Sequence, residues 1–257
     1  MAFNVQNRTQ LSALVFACEQ TGLPAIAQMS SRYVAHEARR GGLEEYLRMA
    51  GRQNLYLHLD HCTDDLLIHH CIRLGFDSVM FDGSRLTIEE NVARTNRVAA
   101  WAHAAGCLVE AELGRIAGVE DGMGSEDADL FNEKEFGAFC SRVKADLVAP
   151  AIGNAHGFYS DSNQVRLDLL PLAQRQLQPG QFLVLHGGTG LSEAALLQAA
   201  RDGVVKLNIS THLKRRTQEL AAEAISQMSL FDEIAMDAKL TEGLVGFYTG
   251  YMSSLAK

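Results

Sequence analysis

The sequence is poor in the residues that break or staple a fold. Of 257 residues, four are proline and one is tryptophan. Its five cysteines, at 18, 62, 71, 107 and 140, contain no C-x-x-C pair and leave an odd one over. No disulfide framework is legible, and a reduced, cytoplasmic protein is expected. Positive charge is also short, with 23 Lys and Arg against 31 Asp and Glu and a formal charge of −8. That balance argues against nucleic acid or an anionic membrane as partner, so an anionic ligand must be held by a local site. No apolar run approaches the roughly 20 residues of a membrane span, and the N-terminus lacks a signal-peptide pattern. Neither a linker nor a low-complexity tract nor a charge block divides the chain. Residues 1–257 therefore read as one domain.

Hydrophobic residues make up 47% of the chain, enough for a sizeable core. Short apolar, β-branched stretches recur at 2–5, 24–30, 55–61, 78–84, 107–114, 146–154, 182–190 and 204–211. Helix-like segments lie between them. "TIEENVARTNRVAAWAHAAG" spaces its apolar residues by three and four and stops at Gly106. "SEAALLQAARDG" behaves alike, with Ser192 as N-cap and Gly203 as stop. Alternating strand and helix predicts a parallel sheet, and eight strands over about 250 residues predict an α/β fold closed as a (β/α)8 TIM barrel. From residue 213 onward two helices are expected, with apolar faces that could meet a partner.

Polar residues gather at the ends of these stretches: Ser30, Asp60 and His61, Asp82 and Ser84, Glu112, Asn154 and His156, His186, Asn208 and Ser210. In this fold the C-terminal strand ends converge on the catalytic mouth. "LYLHLDHC" is the densest case, because an apolar strand ends in adjacent Asp60 and His61. His61, His156 and His186 follow the third, sixth and seventh strands. A lone His at a strand end is usually a hydrogen-bonded loop residue. Three of them beside glycine or acidic residues ("LDHC", "NAHG", "LHGG") point to a divalent metal with an open position, zinc being the commonest. Glu112, which shares an inward strand face with Glu110 in "VEAELG", is a further ligand or a neighbour of the ion. A buried, hydrogen-bonded glutamate is the plainer reading. His58 reads as an interior polar group, and His36, His69, His70 and His103 as solvated helix residues. "HGGTG" at 186–190 and "NIST" at 208–211 follow the seventh and eighth strands, where this fold commonly holds phosphate on backbone N–H groups; Thr189, Ser210 and Thr211 add hydroxyls.

The ordered set "AFNVQN", "LHLDH", "GFDSVMFDGS", "EENVARTNRVAAWAHAAG", "VEAELGRIAGVEDG", "AIGNAHGFY", "LHGGTGL" and "KLNIST" resembles the class II, metal-dependent ketose-bisphosphate aldolases over nearly the whole chain. The resemblance implies zinc, or another divalent ion, on His61, His156 and His186 with Glu112 beside it; a monovalent cation is a second candidate cofactor. It implies reversible cleavage of a phosphorylated ketose into dihydroxyacetone phosphate and an aldehyde through a zinc-stabilised enediolate. Asp60 would exchange the proton of the C4 hydroxyl, and Glu120 in "GVED" the proton at the enediolate carbon. Gly157, Gly187, Thr189, Asn208 and Thr211 match dihydroxyacetone phosphate positions, and Asn4, Ser30 and Ser210 are taken as further substrate contacts. A homodimer or homotetramer is implied in the same way.

The sequence departs from that family at several points. The family begins with a helix and a longer lead into "GAFN", so a helix closing the barrel bottom is expected to be missing. Ser160 stands where lysine is frequent, Ser210 where Asp is, Arg85 where His is and Cys62 where Gly is. The metal and proton-transfer positions are kept while distal contacts change; the expectation thus covers the reaction class and not fructose 1,6-bisphosphate itself. Arg85 suits a distal phosphate, sulfonate or carboxylate, or equally a surface ion pair. Other readings stay open: a Schiff-base aldolase using Lys206, which shares a strand face with Asn208; a metallohydrolase, disfavoured because no His-x-His opens the first strand; and a non-catalytic sugar-phosphate-binding homologue.

Overall fold

The computed structural model describes residues 1–51, 54–116, 118–120, 123–125, 129, 131–155, 157, 165–227 and 232–256. Eight strands close a barrel by parallel pairing: β1 (Ala2–Asn4), β2 (Ala25–Ser30), β3 (Leu55–Cys62), β4 (Ser78–Phe81), β5 (Leu108–Leu113), β8 (Leu147–Pro150), β9 (Phe182–Leu185) and β10 (Val204–Ile209). Their order around the barrel follows the chain, and β10 returns to pair with β1. After β5 comes a small antiparallel hairpin, β6 (Gly118–Glu120) and β7 (Met123–Ser125). Each of the eight apolar stretches coincides with one barrel strand; β2 reaches the end of its stretch, β3 runs one residue past it to Cys62, and the other six stop short of theirs.

Helices α1 (Arg8–Thr21), α2 (Ser31–Arg40), α3 (Leu43–Ala50), α4 (Asp65–Leu74), α5 (Ile88–Ala104), α6 (Glu133–Cys140), α7 (Leu170–Gln176), α8 (Glu193–Arg201), α9 (Thr211–Gln227) and α10 (Glu233–Leu255) cover the barrel. Local chemistry sets their ends. Thr87 and Glu90 form a reciprocal capping box at the start of α5, and Ser192 accepts the Ala195 N–H at the start of α8. Gly75, in the left-handed region at φ 93°, closes α4 and turns the chain into β4.

Strand alternation separates two interiors. Ala27, Met29, Leu57, Leu59, Val109, Ala111, Leu207 and Ile209 belong to the large hydrophobic core between strands and helices. The alternate residues Gln28, His58, Asp60, Glu110, Glu112, Lys206 and Asn208 are buried as well, yet polar. Among the described residues, a small apolar patch of Leu147, Ala149 and Val184 stands apart from the main core. An apolar jacket thus surrounds a barrel whose own interior carries charge.

The buried residues of α10, Leu244, Tyr248 and Met252, face this chain's own core, with α10 packed on α1 and α9. Phe3 of β1 meets the Tyr248 ring edge-on at a centroid distance of 4.8 Å, with Phe247 and Tyr251 alongside. No helix among the described residues is long and apolar enough to cross a membrane.

Candidate metal centre and active site

At the top of β3 the pairing with β4 slips. His58 and Leu59 pair with Ser78 and Val79, but Phe81 pairs with Cys62, leaving Asp60 and His61 together opposite Met80. Two residues against one is a β-bulge, which re-aims side chains. His61 takes up the turn with φ 43°, in the left-handed region that costs a non-glycine residue of order 1–3 kcal/mol. Neighbours in sequence would otherwise point to opposite faces; here both reach the barrel mouth.

His61 meets His186, which follows β9, with ring centroids 4.8 Å apart and planes at 78°. Ligand atoms of His61, Glu112 and His186 all lie within 4.8 Å of one another, and all three residues are buried. Ligands on one zinc ion stand roughly 3–4 Å apart, given bonds near 2.0–2.2 Å, so a small closure brings this set onto an ion. The donors fit a divalent metal: two imidazoles and a carboxylate, with oriented partners behind them. His61 Nδ1 is 3.1 Å from Asp82 Oδ2, leaving Nε2 on the inner side. His186 Nε2 is 2.7 Å from Glu110 Oε1, while its Nδ1 is 3.1 Å from Glu112 Oε2. Carboxylates behind histidines in this way fix ring orientation and tautomer. His156 lies outside the described residues, as do Ser160 and the side chain of Glu120, the last residue of β6.

Electrostatics agree with a cation site. Burial opposes charge on His61, but Asp60, Asp82 and Glu112 outweigh it and raise the imidazole well above its ordinary value. Burial opposes His186 too, and the contacts with Glu110 and Glu112 lift it to about 9. Asp82, which burial alone would raise, is held well below the carboxylate range by His61 and Ser84. His58 differs: burial and the nearby Lys206 charge push it down to about 3, a neutral ring bonded to Ser78 Oγ at 2.8 Å. The site collects negative charge that a bound divalent ion would neutralise.

Asp60 sits beside this group. Its Oδ2 accepts from Asn4 Nδ2 at 2.7 Å and Gln28 Nε2 at 3.5 Å, while Oδ1, also buried, has no hydrogen-bond partner among the described residues. Gln28 also donates to Asn4 Oδ1. Gln28 is absent from the expected site residues although it stands two residues before Ser30; Asp82, expected at the mouth with the other strand-end polar residues, follows β4 and backs His61. Lys206 is 1% exposed, with Nζ 3.0 Å from Glu110 Oε2 and donating to Asn208 Oδ1 at 2.8 Å.

The glycine loop after β9 closes against the end of β10. Gly188 N–H donates to the Asn208 carbonyl at 2.9 Å, and a Cβ on Gly188 would stand 2.9 Å from that same oxygen. Asn154 Nδ2 holds the His186 carbonyl at 3.1 Å. Gly187 has φ 68° and Gly157 φ 106°. Thr189 accepts the His212 N–H at 3.4 Å, and the buried Ser210 Oγ has no hydrogen-bond partner among the described residues. Thr211 opens α9, so Asn208, Ser210 and Thr211 sit where a strand end meets a helix N-terminus. Ser30 caps α2 through the Tyr33 N–H, and Arg85 is exposed on the loop after β4. Glu112 itself is braced by Asn91, which donates to its carbonyl at 2.9 Å; a Cβ on Gly83 would run into the Asn91 side chain.

Comparison with known proteins gives the family and the fold. The family model for class II fructose-bisphosphate aldolase matches residues 1–252. A sulfofructosephosphate aldolase of Alkalicoccus urumqiensis is 33% identical over 218 residues, covering 83% of this chain and 75% of that protein. A fructose-bisphosphate aldolase of Ureaplasma parvum is 34% identical over 218 residues, covering 82% and 73%. The crystal structure of the YdjI aldolase from Escherichia coli K12 shares the fold, with a TM-score of 0.82 at 23% identity, covering 99% of this chain and 90% of that one.

Proposed function

The chain belongs to the class II fructose-bisphosphate aldolase family and is an aldolase, and on that premise we propose that it reversibly cleaves a phosphorylated ketose into dihydroxyacetone phosphate and an aldehyde. The observation that carries the proposal is the convergence of His61, Glu112 and His186 beside the buried carboxylate of Asp60.

Residues that would hold the divalent ion, zinc first, are His61, His186 and Glu112, with His156 as the further imidazole. When bound, such an ion supplies Lewis-acid stabilisation of the negative charge that develops beside the ketone. Asp60 takes the proton of the hydroxyl next to the breaking bond: its Oδ1 is the oxygen left to do so, since Asn4 and Gln28 hold Oδ2. In the synthetic direction Asp60 returns that proton. Glu120 moves the proton at the carbon of the other fragment. The glycine turn after β9, the Thr189 and Ser210 hydroxyls and the start of α9 form the phosphate cradle; Asn208 orients the fragment. Polar contacts from Asn4, Ser30, Gly157 and Thr211 complete the cradle, and Arg85 serves the far end of the ketose.

A Schiff-base route is less supported. The Lys206 amine is engaged by Glu110 and Asn208 inside the barrel, and a nucleophilic amine must be neutral and reachable. The relatives act on ketoses whose far ends differ, so the aldehyde half is set by contacts outside the metal centre. A homodimer or homotetramer is part of the same proposal. The deciding experiment is a coupled assay for dihydroxyacetone phosphate release across a panel of ketose phosphates, including a sulfonated one, with and without chelator. Release that a chelator abolishes supports the reading; activity that survives full chelation and is trapped by borohydride contradicts it.

A further inference from the structure

Lys206 and Glu110 raise a question that the proposed chemistry leaves unanswered. Both are buried in the barrel interior, at 1% and 0% exposure. Burying such charges is costly, and replacing a buried ion pair with apolar groups is often neutral or stabilising. The adjacent sector of the same barrel is filled by Leu147, Ala149 and Val184, so packing does not require the pair.

Its contacts suggest what does. Glu110 uses both oxygens: Oε1 lies 2.7 Å from His186 Nε2 and Oε2 lies 3.0 Å from Lys206 Nζ. His58 Nε2 stands 3.7 Å from the same Oε2. His186 therefore faces a carboxylate on each side, Glu110 at Nε2 and Glu112 at Nδ1. A neutral imidazole has one N–H to give. Glu110 is anchored by a cation and lies closer; Glu112 has no Lys or Arg pairing among the described residues. The N–H belongs on Nε2, and the lone pair of Nδ1 is turned toward His61 and Glu112.

We propose that Lys206 and Glu110 are positioning residues that lock His186 in the Nε2–H tautomer, so that its Nδ1 is presented to the metal. This rests on the metal-dependent reading given above. Through Nζ, Lys206 also holds Asn208 Oδ1, so one ammonium group ties the orientation of a metal ligand to that of a substrate contact. The pair spans the barrel from β10 to β5, and its rigidity comes from full burial rather than from a loop.

The test uses the full-length protein loaded with Zn2+, labelled with 15N at histidine, and a long-range 1H–15N spectrum assigned with single histidine variants. The expected result is a His186 pattern with the metal on Nδ1 and a proton on Nε2. Metal on Nε2 of His186 overturns the positioning role while leaving the metal reading intact; a protein that takes up no Zn2+ overturns both. A second measurement removes the charges together. In the double variant Glu110→Gln, Lys206→Met, Zn2+ affinity measured by competition with a chromophoric chelator should fall about 10–100-fold, the usual effect of losing a carboxylate behind a metal-bound histidine. Wild-type affinity in that folded variant would sink the proposal. Should the variant fail to fold, the wild-type spectrum decides alone.

Discussion

Asp60 and His61 are consecutive residues of β3 whose side chains both enter the barrel mouth, because the bulge opposite Met80 and the left-handed φ of His61 undo the usual alternation. A carboxylate and a candidate metal ligand are thereby placed side by side on one strand. The two can be separated by experiment.

Replacing Asp60 by Ala should lower the cleavage rate by about 10^2–10^4-fold, the range of a lost general acid–base group. Bound metal should stay near stoichiometric, since Asp60 lies beside the ligand group and is not a member of it. Elemental analysis beside the rate measurement checks this, and joint loss of metal and activity would place Asp60 among the ligands.

His186→Ala should empty the site. Its ring touches both His61 and Glu112, so two ligand contacts go at once. Metal analysis after dialysis is the readout, with full occupancy the contrary outcome.

Metal uptake should strengthen as pH rises. In the metal-free protein His61 is raised well above its ordinary value and His186 stands at about 9, each first opposed by burial and then lifted by neighbouring carboxylates. A raised imidazole pKa means that protons compete with the ion throughout the neutral range. Apparent Zn2+ affinity should climb about tenfold per pH unit for each proton displaced, with the His186 share levelling once pH passes about 9. Isothermal titration in buffers of different ionisation enthalpy counts the released protons; an affinity independent of pH between roughly 6 and 8, below the His186 value of about 9, would refute the assignment.

Gly188→Ala should destabilise the fold by about 1–3 kcal/mol, as overpacking commonly does. The added Cβ would stand 2.9 Å from the Asn208 carbonyl and 3.1 Å from Ile209 Cδ1, both at the end of β10. Since the same contact seats the glycine loop, affinity for inorganic phosphate or a ketose phosphate should fall too. A chemical denaturation curve and a binding titration read the two effects, and an unchanged curve would show that the loop can shift freely.

The periodicity of 2 along the strands, the spacing of apolar residues on the helices and the caps at Thr87 and Ser192 are local properties, and the eightfold strand–helix alternation follows from them directly. Polar residues gathered at the strand ends point to the mouth of the barrel through their order in the chain alone. What that order cannot decide is which polar residues meet. Glu110 and Glu112 share one strand face in the sequence, yet one backs His186 and the other joins the ligand group. Lys206, whose position leaves a nucleophilic role open as an alternative, is clasped by Glu110 and Asn208. A one-residue bulge places His61 beside Asp60, and nothing in "LDHC" announces it. Such outcomes depend on barrel closure and register, which bring strands far apart in the chain within hydrogen-bonding distance, and those are global constraints that no local pattern contains.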